Sequence, residues 1–472
     1  MRKIANMIWI WIGVGLLSAC GSDQPVAPDT SAEQTQTFKV IVETMGEQFS
    51  RTSPIAASRR QPITGASSRQ RFDKLELLIL ENKVPAKVVY KTSFDGWSNT
   101  DNKVSVPWVS DSGVGREATV TLTGAECLPD ADYMVYAVGY ESGSFGGYQP
   151  FKDVKIGDDF RTTEVVTLPE GEGLTEIFAG GEIFHVQGGK IYSTPSDQAE
   201  LEDGNIHLRR QVAGTFGYFT GIPAAVDGKA VAALRLVRTR KNQSIILGGF
   251  RGVDDSENFR KENVINGTNP STAFDAKLAG SAENNAFIVY EINLANWFPG
   301  NTGNAALPLD ENRDGILNAL DTNWQTDTTI FPEGSISLPA GTVFGDSYLI
   351  SVAMTEEDIA AGLPTFEFQV LDESGNILKS WPVYLRDLGG DGLDQRTIVS
   401  LPESGEGRTE ITLEDNPETE YCYSIVRNRL YSMGEKAYGQ SYGEDTPIDL
   451  YSASNLVLDS QHEWNTTSVI PF

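Results

Sequence analysis

The sequence predicts an all-β protein with two β-sandwich domains in series, and three observations support this. Short apolar runs of strand length recur along the whole chain, and most alternate with period two or are rich in β-branched and aromatic residues. Gly- and Asp-rich turn residues separate the runs; residues 371–378, for example, have the pattern of a hairpin. Helical periodicity is scarce, with one short helix expected over residues 355–362. Many short strands joined by such turns are typical of β-sandwiches.

The strand pattern also suggests where the domains lie. The predicted strands include residues 38–44, 75–80, 118–122, 133–138, 230–237, 287–290, 348–353, 366–371 and 455–458. A polar stretch over 193–205 interrupts them, so we expect one domain over 37–190 and a second over 205–472. The second is long, and its region of about 252–335 is predicted to be an insertion.

The N-terminus has the pattern of an export signal. Arg2 and Lys3 precede an uncharged apolar run that is too short to span a bilayer, which needs about 20 residues. The run ends in Leu-Ser-Ala-Cys-Gly, which resembles a lipobox with Cys20 as the lipidated residue. We therefore expect a signal peptide over 1–19 and an exported lipoprotein that is tethered to a membrane through the acylated Cys20. The alternative is an ordinary secretory signal with a chance cysteine.

The expected mature chain begins with a polar tether and is strongly acidic. Residues 20–36 contain almost no large apolar side chains and are predicted to be disordered. The whole chain carries a formal charge of −28, and loss of Arg2 and Lys3 with the signal peptide makes this −30. Such a balance argues against nucleic acid as a partner. Cys127 and Cys422 could pair in an oxidising compartment, but they lie far apart in the chain, which favours two buried thiols.

Residues 310–321 have the ligand spacing of an EF-hand-type Ca²⁺ loop. Oxygen-bearing side chains occupy positions 1, 3, 5, 9 and 12, glycine occupies position 6, and the residue at position 7 offers its carbonyl. The predicted ligands are Asp310, Asn312, Asp314, Ile316, Asn318 and Asp321. The loop ends in Asp rather than Glu, as in dockerin modules, but lacks their duplication and flanking helices. The alternative is an acidic surface loop without a metal.

Six segments, taken in chain order, carry a family resemblance. They are residues 72–80, 175–180, 208–213, 426–434, 447–450 and 462–464. Together they resemble the fimbrillin superfamily, which builds the type V pili of Bacteroidales-type bacteria, and the last three resemble its minor, anchor-like subunits. The resemblance implies transthyretin-like, Greek-key sandwiches and other pilus subunits as partners. Residues 252–335 and 466–472 depart from the family pattern.

The resemblance implies assembly by strand exchange. In the family, a protease that cuts after Arg removes the first strand, and a neighbour's C-terminal strand fills the groove. Here residues 38–44 are the removable strand, and 454–470 are either a donor strand or the last strand of their own domain. The candidate cleavage sites are Arg51, Arg59, Arg60, Arg69 and Arg71. The alternatives are an uncut basic loop and an anchor subunit that keeps its first strand.

These observations favour a structural and adhesive fimbrial subunit of anchor or minor type over an enzyme. Residues 439–443 match Gly-x-Ser-x-Gly, but they lack the strand-to-helix context of a nucleophile elbow. His185, His207 and His462 show no metal-ligand spacing. The alternative function is a surface glycan-binding lipoprotein of a polysaccharide-uptake system. Its candidate stacking residues are Trp97, Trp108, Tyr140, Phe145 and Tyr148.

Overall fold

The computed structural model confirms the all-β prediction. It describes residues 34–43, 74–95, 108–110, 113–141, 149–160, 164–167, 177–192, 206–247, 266–270, 287–300, 305–329, 338–352, 354, 358, 361, 363–387, 397–400, 409–412, 421–422, 425, 427, 430–434 and 446–461. Strands predominate across these ranges, and a short α-helix, α1, spans Leu294–Trp297. Asn293 caps it by accepting a hydrogen bond from the Ala295 amide.

The strands are numbered in chain order. In the first part of the chain they are β1 (Thr35–Glu43), β2 (Lys74–Glu81), β3 (Val88–Asp95), β4 (Trp108–Ser110), β5 (Gly113–Thr123), β6 (Ala131–Tyr140), β7 (Glu164–Thr167), β8 (Phe178–Gln187), β9 (Lys190–Tyr192), β10 (Ile206–His207) and β11 (Arg209–Arg210). Next come β12 (Ala213–Thr220), β13 (Ile222–Pro223), β14 (Ala225–Val226), β15 (Lys229–Ala230), β16 (Ala233–Arg238), β17 (Asn242–Leu247), β18 (Gly267–Pro270), β19 (Ile288–Asn293) and β20 (Ile316–Leu317). The last are β21 (Val343–Leu349), β22 (Phe366–Leu371), β23 (Ile377–Asp387), β24 (Thr397–Ser400), β25 (Thr409–Thr412), β26 (Tyr421–Cys422), β27 (Leu430–Met433), β28 (Ile448–Asp449) and β29 (Leu456–Gln461).

The first sandwich consists of two sheets that face each other. The first sheet has the order β10-β1-β5-β4, and the second sheet has the order β11-β8-β6-β2-β3, with β9 paired to β8. Between them lies an apolar cluster that we call the first core. It includes Phe38 and Val40 of β1, Val120 and Leu122 of β5, and Leu75, Leu77 and Ile79 of β2. The two sheets thus bury one another's inward faces, as a sandwich requires.

The boundary between the domains differs from the prediction. The sequence places residues 206–210 at the start of the second domain, but β10 pairs in parallel with β1, and β11 pairs antiparallel with β8. The first sandwich therefore recruits two short strands from beyond the polar stretch 193–205. These strands fill the sheet edges beside β1 and β8, where unpaired backbone groups would otherwise be left.

The second sandwich is one large sheet folded upon itself. Its order is β19-β16-β22-β23-β29-β27-β12-β21, with β26 paired to β23 and β28 paired to β12. The fold brings the Phe219 ring of β12 to 4.8 Å from the Phe368 ring of β22, measured between centroids. The cluster inside, the second core, also contains the fully buried Trp297 of α1.

A glycine pair lets the two halves of the large sheet approach closely. Gly217 of β12 lies directly opposite Gly345 of β21. A Cβ on Gly217 would overlap the Tyr290 hydroxyl and the Phe219 ring, and one on Gly345 would lie 2.6 Å from Ile292 Cγ1. Strand β19 therefore packs directly against the backbone of β12 and β21 at this point.

The region predicted as an insertion is not separate from the domain. Its segment β18 joins β17 and β7 in a three-stranded sheet, which we call the bridging sheet, and its segment β19 is an edge of the large sheet. The short β20 pairs with β13. Strands β14 and β15, and likewise β24 and β25, form two-stranded hairpins.

Several other predictions can be compared directly. The hairpin over 371–378 is confirmed, with Gly375 at φ +77° in the turn between β22 and β23. The first strand begins at Thr35, so the predicted tether ends earlier than residue 36. Of the predicted strand 348–353, only the first two residues belong to β21, and Val352 forms an isolated bridge with Ile425. Most of the predicted helix over 355–362 lies outside the described residues.

Among the described residues, no helix has both the length and the apolar character needed to cross a bilayer.

Replacing Gly217 with Ala should lower the free energy of unfolding, because the added methyl would overlap Tyr290 and Phe219, which are buried and cannot move aside. We expect a loss of about 1–3 kcal/mol, the usual range for overpacking a core. Urea unfolding measures it. Gly300→Ala is the matched control, since its Cβ would lie 3.9 Å from the nearest neighbouring atom, the Pro308 carbonyl oxygen. Equal stabilities of the two variants would contradict the close packing of β19 on this glycine pair.

Candidate functional site

The first candidate site is the position that β1 occupies in the first sheet. On one side β1 pairs antiparallel with β5 along its whole length, from Thr35 opposite Thr123 to Glu43 opposite Gly115. On the other side it pairs with β10 at only two positions, Val40 with Ile206 and Ile41 with His207. The strand thus depends on β5 for most of its backbone hydrogen bonds. We call this position, bounded by β5, β10 and the first core, the β1 slot.

Apolar side chains of β1 fill the slot from the inside. Phe38 and Val40 point into the first core and are 3% and 0% exposed. The Phe38 ring lies 5.7 Å from the Phe184 ring of β8, measured between centroids. Each buried side chain of this size stabilises the fold by about 1.5–3 kcal/mol. Without β1, the inner face of the second sheet would lose part of its apolar cover.

A buried amide fixes the start of β1. The Gln36 side chain donates from Nε2 to the Leu128 carbonyl at 2.9 Å and accepts from the Leu128 amide at 2.8 Å. Gln36 is 2% exposed, so both bonds are made away from water. Sequence reasoning misses this residue, because the polar composition of 20–36 assigns it to the tether. The signal that could have found it is spacing: Gln36, Phe38 and Val40 alternate toward the core.

Two turns hold the residue before β1. The Gln34 carbonyl accepts hydrogen bonds from the Gly124 amide at 3.0 Å and from the Cys127 thiol at 3.1 Å. On the opposite side, the β8–β9 turn places Gly189 at φ +79°, and a Cβ there would overlap the Gln34 side-chain amide. This turn favours glycine because of its backbone conformation.

Cys127 is a free thiol, half-buried where β5 ends, and it also contacts the Leu122 carbonyl at 3.5 Å. It is therefore less buried than the sequence predicts. Cys422 lies in β26, which pairs with β23 of the large sheet. The side chain of Cys422 is outside the described part of the structure.

The residues predicted for lipidation and cleavage all lie outside the described residues. They are Cys20, Arg51, Arg59, Arg60, Arg69 and Arg71. Their order in the chain is still informative, because β1 ends at Glu43 and β2 begins at Lys74. All five arginines lie in this connection between the first and second sheets, and Cys20 lies on the far side of β1.

The described part of the segment predicted as a possible donor strand, residues 454–461, contains β29, which is paired within the large sheet. Strand β29 pairs in parallel with β23 and antiparallel with β27, so both of its edges are occupied. Leu456 and Leu458 are buried in the second core. Of the predicted segment 454–470, residues from 462 onward lie outside the described residues.

The second candidate site is the acidic loop, residues 310–321. Its two end carboxylates are buried, with Asp310 0% and Asp321 2% exposed. Asp310 accepts hydrogen bonds from the Arg313 amide at 2.7 Å and the Gly315 amide at 2.9 Å. Asp321 accepts from the amides of Glu311, Asn312 and Asn318 at 3.0, 3.3 and 2.8 Å. The two carboxylates thus fold the loop around themselves.

The pKa of the Asp321 carboxyl is raised, chiefly because burial disfavours its charged form. The backbone amides of Asn318, Asn312 and Glu311 act in the opposite direction, and the negative charge of Asp310 adds to the rise.

The other predicted ligands lie in the same loop and bond to one another. The Asn312 side-chain oxygen accepts from the Asp314 amide, and one Asp314 oxygen accepts from the Ile316 amide, each at 2.8 Å. The second Asp314 oxygen accepts from the side-chain amides of Asn312 and Asn318 at 3.0 and 3.2 Å. Among the described residues, no group of three or more His, Cys, Asp or Glu side chains is placed to hold a metal ion. Calcium binding here stays a prediction.

The acidic loop is attached firmly to the second sandwich. Strand β20 within it pairs with β13, and Leu317 is fully buried. The Ala224 amide donates to the Gly315 carbonyl at 2.9 Å. Just after the loop, the Trp324 indole donates to the Thr342 carbonyl at 2.8 Å. The loop is thus an ordered part of the fold as it stands.

The residues considered for other functions contribute little to either site. Tyr140, one of the five aromatics considered for glycan stacking, is fully buried and donates its hydroxyl to Glu76 at 2.6 Å. Trp97, Phe145 and Tyr148 lie outside the described residues, as do 439–443 and His462, and the side chains of Trp108 and His207 are not described. His185 is half-buried, and its Nδ1 lies 2.5 Å from the Asp132 carboxylate opposite it. The imidazole of His185 thus has a polar partner within the second sheet.

Of the comparisons with known proteins, the comparison with solved structures found similar chains. No family model matches the sequence, and no curated protein matches it. A fimbrial assembly protein from Parabacteroides distasonis is 11% identical, with a TM-score of 0.31, over 86% of this chain and 92% of that one. The fimbrial anchor protein Mfa2 from Porphyromonas gingivalis is 10% identical, with a TM-score of 0.30, over 74% of this chain and 82% of that one.

Replacing Gln36 with Ala should lower the free energy of unfolding, because it leaves the buried amide and carbonyl of Leu128 without their partner. A loss of about 1–3 kcal/mol is expected. Urea unfolding measures it, with Thr37→Ala, at the exposed neighbouring position, as the control. If both variants unfold at the same urea concentration, the amide does not fix the start of β1.

Calcium should raise the melting temperature if the acidic loop binds it, since a ligand that binds only the folded state stabilises it. The dissociation constant expected for an extracellular site is about 10⁻⁴–10⁻³ M, so millimolar Ca²⁺ is the probe. Asp314→Asn should abolish the shift while leaving the metal-free protein folded, because Asn keeps the oxygen that accepts from the Ile316 amide. An unchanged melting temperature of the natural chain in millimolar Ca²⁺ would exclude the site.

Proposed function

We propose that this chain is a structural and adhesive protein of the cell surface, a fimbrial subunit of anchor or minor type. Its first sandwich is completed either by its own β1 or by a strand from a neighbouring subunit. The observation that carries the proposal is the pairing of β1: a full ladder with β5, but only two paired positions with β10. A strand held in this way is the natural place for β-augmentation.

The composition of the slot supports exchange by an extended strand. Its backbone edge on β5 offers hydrogen bonds to any strand of suitable length, whatever its side chains. Its interior accepts apolar side chains at alternate positions, as Phe38 and Val40 occupy them now. A donated strand therefore needs apolar residues with period two and a polar outer face.

The position of the arginines supports a distinction between two forms of the protein. Cys20 and β1 lie before the connection 44–73, and everything from β2 onward lies after it. A cut in this connection would leave β1 and the lipid on one piece and the rest of the protein on the other. The uncut form would thus serve as the anchored subunit, with β1 retained. The cut form would hold β1 only by non-covalent contacts, and its slot could be filled by a neighbour.

The buried bonds of Gln36 favour the native β1 over a donated strand as the occupant of the slot. They are made by the native strand, and a donated strand without glutamine at this position would leave Leu128 unsatisfied. In this proposal the protein's partners are other pilus subunits and the outer-membrane lipid that holds the acylated Cys20.

The proposal is tested by asking whether the cut protein takes up a strand. The chain is cut with an Arg-specific protease and mixed with a fluorescent peptide of residues 34–43. We expect the cut chain to bind the peptide, because its own β1 is held only by non-covalent contacts and can leave the slot. The uncut chain should bind none, because its covalently attached β1 occupies the slot. Anisotropy and size-exclusion chromatography report the binding.

The control locks β1 in place before cutting. Lys39 and Thr119 are directly opposite each other in β1 and β5, so Lys39→Cys with Thr119→Cys allows a cross-strand disulfide. The oxidised double variant should bind no peptide after cutting and should regain binding on reduction. A cut chain that stays folded but never takes up peptide would contradict strand exchange.

A further inference from the structure

The second sheet is buried on both faces, unlike a sheet at the outside of a sandwich. In β2, Leu75 and Leu77 belong to the first core, whereas Leu78 and Leu80 belong to the second core, and all four are 0% exposed. In β6, Tyr133 and Val135 face the first core, and Met134 and Tyr136 face the second core. Phe151 packs on this second face, with its ring 5.2 Å from the Tyr136 ring, and both residues belong to the second core, which continues into the second sandwich.

The bridging sheet ties the two sandwiches together through backbone pairing. Strand β7 lies between β6 and β8 in the chain, yet it pairs with β17, which follows β16 of the large sheet. The register runs from Thr167 opposite Ser244 to Glu164 opposite Leu247. Ile245 and Leu247 of β17 are fully buried in the second core. Since β6 and β8, which flank β7 in the chain, belong to the second sheet, β7 links the two sandwiches.

A buried polar network makes a second connection. The Gln211 amide donates to the Ile177 carbonyl at 2.7 Å, and its side chain donates to the Ala179 carbonyl of β8 at 3.3 Å. Asn266, next to β18, donates to the backbone and side-chain oxygens of Gln211 at 3.1 and 3.2 Å. Ser351 donates its hydroxyl to the Asn266 side chain at 2.7 Å and accepts from the Asn266 amide at 2.8 Å. The side chains of Gln211, Asn266 and Ser351 are 0% exposed, so the network runs from the second sheet to the end of β21 away from water.

We propose that the second sheet couples the state of the β1 slot to the second sandwich. When the slot is filled, the inner face of the second sheet is covered, and the sheet forms a firm base for the bridging sheet and the Gln211–Asn266–Ser351 network. When the slot is empty or poorly filled, the second sheet loosens, and the bridging sheet loosens with it. A subunit would thus have a firm second sandwich only after its first sandwich is complete. This inference rests on the proposed function, which makes slot filling a step in assembly.

The physical basis is the dense packing of a shared layer. Side chains in a protein interior are close-packed, so loss of contacts on one face of a sheet is felt by the residues on its other face. In β2 the residues of the two faces alternate along one backbone, Leu77 next to Leu78 and Ile79 next to Leu80. Backbone motion that follows from a defect at Leu77 or Ile79 therefore moves Leu78 and Leu80 as well.

Hydrogen exchange on the full, uncut chain tests the coupling. Phe38→Leu, which keeps most of the apolar volume, and Phe38→Ala, which removes it, weaken the filling of the slot to different degrees. We expect the amides of β17 to exchange about tenfold faster in the Ala variant, and less so in the Leu variant, because a linked unit opens with its neighbour. Thr119→Ala, at an exposed position of β5, is the control and should leave β17 unchanged.

Faster exchange that is confined to the first and second sheets, with β17 as in the natural chain, would overturn the coupling.

Thermal unfolding gives a second readout, which can be measured even when a variant is destabilised. Coupled sandwiches melt in one transition that moves as a whole in Phe38→Leu, whereas independent sandwiches would show a separate early transition. Both measurements use the chain's own β1, so they can succeed even if the cut chain takes up no peptide. The coupling and the strand-exchange proposal can therefore fail separately.

Discussion

The structure depends on covering both faces of the second sheet. Because β2 and β6 carry apolar side chains on alternate sides, neither face can be left in water without exposing a row of Leu, Ile, Val and Tyr residues. The first sheet covers one face, and within it β1 contributes Phe38 and Val40. Residues of the second core cover the other face, among them Phe151, whose ring lies 5.2 Å from the Tyr136 ring. The position of β1 follows from this requirement, whereas β10 and β11 complete the backbone pairing at the edges of the two sheets.

The same requirement explains why a strand so close to the polar N-terminal stretch is held firmly. Phe38 and Val40 supply apolar contact, which any strand with period-two hydrophobicity could also supply. Gln36 and the turns around Gln34 supply polar contacts that are particular to this strand. The apolar contacts permit another strand to replace β1, whereas the polar contacts favour the native β1. The proposed function, in which a subunit keeps its first strand but can be completed by another, requires both kinds.

The sequence predicts the strands better than it predicts their partners. The apolar run 75–80 is recognisable as a strand, and a run without polar alternation is what burial on both faces requires. The pairing of β7 with β17 could not be predicted, because it joins segments that are distant in the chain and both are short. Residues 206–210 are misassigned to the second domain because composition marks the polar stretch before them but does not indicate which sheet edge is open. Gln36 is missed because a buried glutamine in a polar segment has no compositional signal. The acidic loop is recognisable from its ligand spacing alone. In the structure, the side chains with this spacing accept hydrogen bonds from backbone amides of the loop, as Asx turns and as a buried carboxylate.

The most direct test of the central claim is hydrogen exchange at the amides of β2 in protein cut within residues 44–73 and freed of β1. If β1 covers the second sheet, these amides should exchange much faster after its removal and regain protection when a strand of residues 34–43 is added. If they exchange as slowly without β1 as with it, the second sheet does not depend on the slot, and coupling through this sheet cannot hold.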